Sequence, residues 1–79
     1  MDYLKPAVAH ALLILANEEN IGLTKKQRGR LNLVADGVTV RGVAHVEFVS
    51  QRDVVACVNR AGGKVMQAIG ESVKLRKGV

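Results

Sequence analysis

RGVAHVEF, residues 41–48, followed by Val49, reads as a β-strand. Successive side chains of a strand point to opposite faces. Ala44, Val46 and Phe48 then point one way, and Val43, His45, Glu47 and Val49 the other. The first set is uniformly apolar and is expected to face the core. The second is mixed and is expected to face solvent or a partner. Upstream, LNLVADGVTVRG, residues 31–42, sets Asp36-Gly37 between alternating apolar positions. That is a strong hairpin signal, because both residues of a two-residue turn must take positive φ. The same region has a second reading, as a helix capped by Thr24 and ending at Asp36-Gly37. Gly29 would weaken that helix by about 1 kcal/mol relative to alanine. A hybrid, with a helical turn over residues 24–29 and a strand after it, also fits.

Downstream, SQRD at residues 50–53 has the form of a capping box with aspartate in the usual glutamate position. Val54, Cys57, Val58 and Ala61 recur at helical spacing, so a helix is expected over residues 51–61. Gly62-Gly63 is its expected stop, since glycine takes a left-handed end conformation without a steric penalty. GGK at residues 62–64 is no phosphate-binding loop: Val58 and Val65 stand where that motif needs glycine and a hydroxyl residue. SVKLRK, residues 72–77, alternates and suits a final edge strand. At the other end, residues 2–20 read as a helix with Asp2 as cap, Pro6 in the first turn and Leu4, Val8, Ala11, Leu12 and Leu15 on one stripe. LLIL, residues 12–15, equally fits a short buried strand, and periodicity leaves both readings open. The expected fold is therefore α+β. It is one small domain over residues 1–79, with a short antiparallel sheet centred on residues 43–49 packed against two or three helices.

Composition narrows the function. The chain has 79 residues, 48% hydrophobic and 24% charged, which is globular and not disordered. Twelve lysines and arginines against seven acids give a formal charge of +5, which favours polyanions, acidic protein surfaces or other anionic partners. The single cysteine, Cys57, excludes an internal disulfide and indicates a reducing compartment. The longest apolar run, residues 7–16, is well short of the roughly 20 residues a membrane helix needs. It also lacks a signal peptide's basic leader and cleavage site. The expected setting is the cytoplasm, away from membranes.

From residue 31 to 76 the chain resembles the later part of an RNA recognition motif domain. The signature of that family's RNA-reading strand is K/R-G-F/Y-G/A-F-V-x-F/Y. Arg41, Gly42, Ala44, Val46 and Phe48 match it in RGVAHVEF. LNLVADGVTVRG resembles the preceding hairpin, and LLILAN, residues 12–17, resembles the second RNA-contacting strand, with Asn17 in the place of its asparagine. The resemblance implies a sheet whose outward aromatics stack on bases. Here those positions hold Ile14, Val43 and His45, so stacking is reduced to the imidazole of His45.

Two binding functions follow, and no catalytic one. No carboxylate pair, nucleophile elbow or metal-ligand spacing is present, and no metal or cofactor is expected. His10 reads as a helix-surface residue and Cys57 as a small core hydrophobe. In the first function, nucleic acid is held electrostatically by Lys25, Lys26, Arg28, Arg30 and Arg41, with His45 beside them. Lys74, Arg76 and Lys77 form a second, weaker basic group. In the alternative, Val43, His45 and Val49 form a docking face for a protein partner or a second copy of the chain, as in a small inhibitor or regulator.

Overall fold

The computed structural model describes the backbone of residues 2–77 and the side chains of residues 2–71. It is built of four helices: α1 (Pro6–Glu18), α2 (Lys25–Ala35), α3 (Val40–Glu47) and α4 (Gln51–Lys77). Among the described residues there is no strand, so the expected α+β fold with its sheet is overturned. The sheet implied by the resemblance to RNA recognition motif domains is likewise absent there, and residues 41–47 lie on α3.

Local chemistry explains each boundary. Pro6 opens α1, where its missing N–H is not needed. The Asp2 carboxylate accepts from the Leu4 amide at 3.0 Å and so holds the turn before the helix, not its cap. Thr24 caps α2 through a reciprocal box: its Oγ1 accepts from the Gln27 amide at 3.1 Å, and the Gln27 side chain accepts from the Thr24 amide at 3.0 Å. Thr39 caps α3 by accepting from the Gly42 amide at 3.0 Å, and Ser50 caps α4 by accepting from the Asp53 amide at 3.1 Å. The first three helices end in the same closure, in which a left-handed residue turns the chain back. The amide of Ile21 donates to Ala16, that of Val38 to Leu33 and that of Val49 to Ala44, at 2.8, 3.0 and 3.0 Å. The left-handed residues are Asn20 (φ 57°), Gly37 (φ 91°) and Phe48 (φ 56°). Asp36-Gly37 is thus a helix end and not a hairpin turn. One positive-φ glycine serves both structures, which is why the dipeptide cannot separate them.

The core is aliphatic. It gathers Ala9, Leu12 and Ala16 of α1, Leu31 and Val34 of α2, Val43 and Ala44 of α3, and Val54, Val58, Ala61 and Val65 of α4. In α3 the buried pair is adjacent in sequence, which a helix allows and an alternating strand does not. Of the three residues expected to face the core, Ala44 is buried, whereas Val46 and Phe48 are 65% and 94% exposed. The α1 stripe is rotated by one position, so Ala9 and Ala16 are buried and Ala11 is exposed.

α4 is the spine against which all three other helices pack, and α1 and α3 do not meet. Its 27 residues span about 40 Å at 1.5 Å per residue, so it must lie along the 48 Å dimension of a body 21 and 19 Å across. It runs through Gly62-Gly63 without stopping, and residues 72–77, expected as an edge strand, continue it. Gly62 is there because Tyr3 lies on it: a Cβ at this position would sit 2.5–2.6 Å from Cγ, Cδ1 and Cδ2 of the ring. Among the described residues, no helix is long and apolar enough to cross a membrane.

Candidate nucleic-acid interface

α2 begins with cations. Lys25, Lys26 and Arg28 are all exposed, and the first turn holds no acidic residue. The partial positive charge of a helix N-terminus opposes cations there by about 0.3–1 kcal/mol per exposed charge. The cap is completed by Gln27 in the position where glutamate is usual, which keeps the turn free of negative charge. Among the described residues, none of the three forms a salt bridge that would offset this. Lys26 and Thr24 also line a groove of about 330 Å³ with Arg60 of α4, over Arg30, Asp53 and Cys57.

Arg30 behaves differently from its neighbours. It lies on the inner side of α2 and is 2% exposed. Its Nε donates to Glu47 at the end of α3, at 3.0 Å to one carboxylate oxygen and 3.4 Å to the other. Its terminal nitrogens reach the carbonyl of Asp53 at 3.4 Å and its carboxylate at 3.5 Å, in the first turn of α4. Burial pulls the Arg30 pKa down. The hydrogen bond and charge of Glu47, with a further contribution from the Cys57 side chain, outweigh it, so the guanidinium is held above its ordinary value. Among the described residues, no buried side-chain nitrogen or oxygen lacks a hydrogen-bond partner. Arg30 therefore ties three helices together, and buried as it is it presents no surface to a phosphate.

The short helix α3 is buried on its Val43 and Ala44 side and bare on the other. Arg41 and His45 follow at i and i+4, which brings them to one side of the helix, and both are exposed, as is Phe48 just beyond the helix end. Val46 is also exposed. Glu47, the nearest carboxylate, is turned inward onto Arg30. Between α2 and α3 lie four residues, Asp36 to Thr39, closed by Gly37 and by the Thr39 cap.

The residues singled out from sequence thus separate into groups. Lys25, Lys26 and Arg28 share one turn, and Arg41 and His45 share the bare face of α3. Arg30 is interior. Val43, expected on a docking face with His45 and Val49, is completely buried, and Val49 is half-buried, so that face is not formed. A charge introduced at Val43 would enter the core. Lys74, Arg76 and Lys77 have side chains outside those described. Three contributors were not expected: Phe48, which the strand reading turned inward; Arg60, which joins Lys26 across two helices; and Glu47, whose pairing with Arg30 spans 17 residues. Comparison of the chain with protein-family models, with curated proteins and with solved structures finds no match.

Proposed function

We propose that the chain is a non-enzymatic DNA-binding domain that holds duplex DNA through the first turn of α2 and the bare face of α3. The observation that carries this reading is the set of three exposed cations, Lys25, Lys26 and Arg28, at a helix N-terminus that disfavours them. Residues that break a local rule without a gain to the fold are candidates for function. Two helices joined by a short turn containing glycine are the connection of the helix-turn-helix, whose second helix lies in the major groove while the first crosses the backbone. At eight residues α3 is about 12 Å long, the width of that groove. Its outward Arg41 is suited to guanine edges or phosphates, and Lys25, Lys26 and Arg28 to the flanking backbone. A cytoplasmic setting belongs to the same proposal and rests on the single cysteine.

The test is a titration of the full chain against fluorescently labelled random-sequence duplex, and against single strands of equal length, by anisotropy. Duplex binding is expected with a Kd of about 10⁻⁴–10⁻⁶ M near physiological salt, tighter at about 50 mM. Single strands bind more weakly, and Arg41→Ala lowers duplex affinity at least about fivefold. Absence of binding at the lower salt refutes the reading.

One observation favours a second reading, contact with another protein chain. Ala7, Val8, Ala11 and Leu15 of α1 and Met66 of α4 line an apolar groove of about 370 Å³. Sedimentation equilibrium decides this for a second copy: a dimer that Ala11→Glu dissociates supports it, and a monomer at high micromolar concentration removes it.

A further inference from the structure

The groove between α2 and α4 is rich in donors and poor in acceptors. Its volume is about 330 Å³, and Lys26 lines it from α2 while Arg60 lines it from α4. Both are exposed, and among the described residues no salt bridge reaches either of them. The one carboxylate that lines the groove, Asp53, is engaged by Arg30 at 3.5 Å. Arg30 also lines it, buried, and adds a third positive charge without a surface of its own. Three cations thus share one small groove with one acid, and like charges so gathered repel.

The cap of α2 supplies the neutral donors. The oxygens of Thr24 and Gln27 are both occupied: Thr24 Oγ1 accepts from the Gln27 amide, and Gln27 Oε1 accepts from the Thr24 amide. Both residues line the groove. What each can still offer a ligand is a donor, the hydroxyl hydrogen of Thr24 and the NH2 of Gln27. Glutamate at position 27 would close the same box and would suit a helix N-terminus better. It would also bring a second carboxylate to the groove. The chain carries the neutral amide instead. Such a lining is complementary to an oxyanion, which only accepts. A phosphate group has oxygens enough to take donors from two helices at once.

We propose that this groove is a phosphate-binding site, in which Arg60 of α4 closes on a phosphate group held from α2 by Lys26, Gln27 and Thr24. The phosphate belongs to a DNA backbone or to a free phosphate ester, since both present the same oxygens. The site goes beyond the reading above, which places DNA on α2 and α3 alone, and it does not depend on that reading.

The test has two arms on the full chain. In the first, the ¹⁵N-labelled protein is titrated with inorganic phosphate at constant ionic strength, and the side-chain N–H signals of Gln27 and Arg60 are followed by NMR. In the second, the salt dependence of duplex binding is measured by anisotropy. Gln27→Glu keeps the capping box and is expected to melt at or above the wild-type temperature. Arg52→Ala is the control, because Arg52 is exposed on α4 but does not line the groove. Saturable shifts of both signals are expected, weakened about fivefold or more by Arg60→Ala and by Gln27→Glu and unchanged by Arg52→Ala. If the phosphate is that of DNA, Arg60→Ala also lowers the slope of log K against log salt by about 0.9, and Arg52→Ala does not. Shifts with phosphate and an unaltered duplex slope support the site and assign it to a free ester. Absence of a phosphate shift together with an unaltered slope in Arg60→Ala overturns the proposal and leaves DNA binding by α2 and α3 standing. Shifts that sodium chloride reproduces, or that persist in both groove variants, overturn it as well. A chain that binds no duplex loses the DNA-binding reading, and the phosphate titration alone then decides this site.

Discussion

Gly62 and Gly63 are neighbours on α4, and alanine at the two positions should act in opposite directions. In a helix interior, replacing glycine with alanine contributes about 1 kcal/mol through backbone entropy. At Gly63 nothing lies within 4 Å of the added Cβ, so Gly63→Ala should realise that gain. For a domain of this size the melting temperature should rise by about 4–8 °C. At Gly62 the same Cβ would stand 2.5–2.6 Å from three ring carbons of Tyr3, against an optimal carbon separation of about 3.5–4.0 Å. The ring must retreat by about 1 Å, and overpacking of this kind costs about 1–3 kcal/mol. Set against the 1 kcal/mol gain, Gly62→Ala should destabilise by about 1 kcal/mol and lower the melting temperature by a similar interval. In a Tyr3→Ala background the obstacle is gone, and Gly62→Ala should become stabilising by about 1 kcal/mol. Thermal and urea unfolding followed by far-ultraviolet circular dichroism reads all four variants. Equal stabilisation by both alanines with Tyr3 intact would refute the packing of Tyr3 on Gly62. Equal destabilisation would mean that the helix stops at the glycine pair.

Glu47→Ala leaves Arg30 buried without its closest partner. Breaking a buried pair costs about 3–5 kcal/mol. Glu47 is 30% exposed and Asp53 remains in reach, so about 2–3 kcal/mol is expected in urea unfolding, with less for Glu47→Gln. The raised Arg30 pKa contributes stability that is present below the ordinary arginine value and is lost only as pH rises through the still higher folded value. Its titration should therefore leave the melting temperature unchanged from neutral to mildly alkaline pH. Lys25→Glu should stabilise the fold by about 0.3–1 kcal/mol, by matching the field at the start of α2, while weakening duplex binding. A melt and a binding curve that move in the same direction would contradict the functional assignment of that turn.

Helix ends were more legible in the sequence than element types. Thr24, Ser50 and Pro6 mark starts because each solves a local problem of unpaired amides, which needs no knowledge of the rest of the chain. The strand read over residues 43–49 failed for a physical reason. Val, Ala, His, Val, Glu, Phe and Val alternate well enough for a sheet, yet Val43 and Ala44 together serve a helix stripe. What decides between them is the Thr39 cap and the left-handed Phe48, neither of which follows from periodicity. Gly62-Gly63 carries the composition of a helix stop, and only the ring of a residue 59 positions earlier explains the first glycine. The candidate site was legible where it depends on local charge, at Lys25, Lys26 and Arg28. It was not legible where it depends on facing, and Arg30 shows this: as basic as its neighbours, it is turned inward by Glu47 and Asp53. Phe48 shows the reverse, an aromatic that composition assigns to the core and the helix end leaves in water.

The central claim is that the start of α2 binds DNA phosphates, and the salt dependence of duplex binding tests it most directly. Each phosphate neutralised adds about 0.9 to the slope of log K against log salt. With Lys25, Lys26 and Arg28 all changed to alanine, the slope should fall by about 2–3 units relative to wild type while the melting temperature holds or rises. A wild-type slope near zero, or a triple variant with the wild-type slope, would contradict the account.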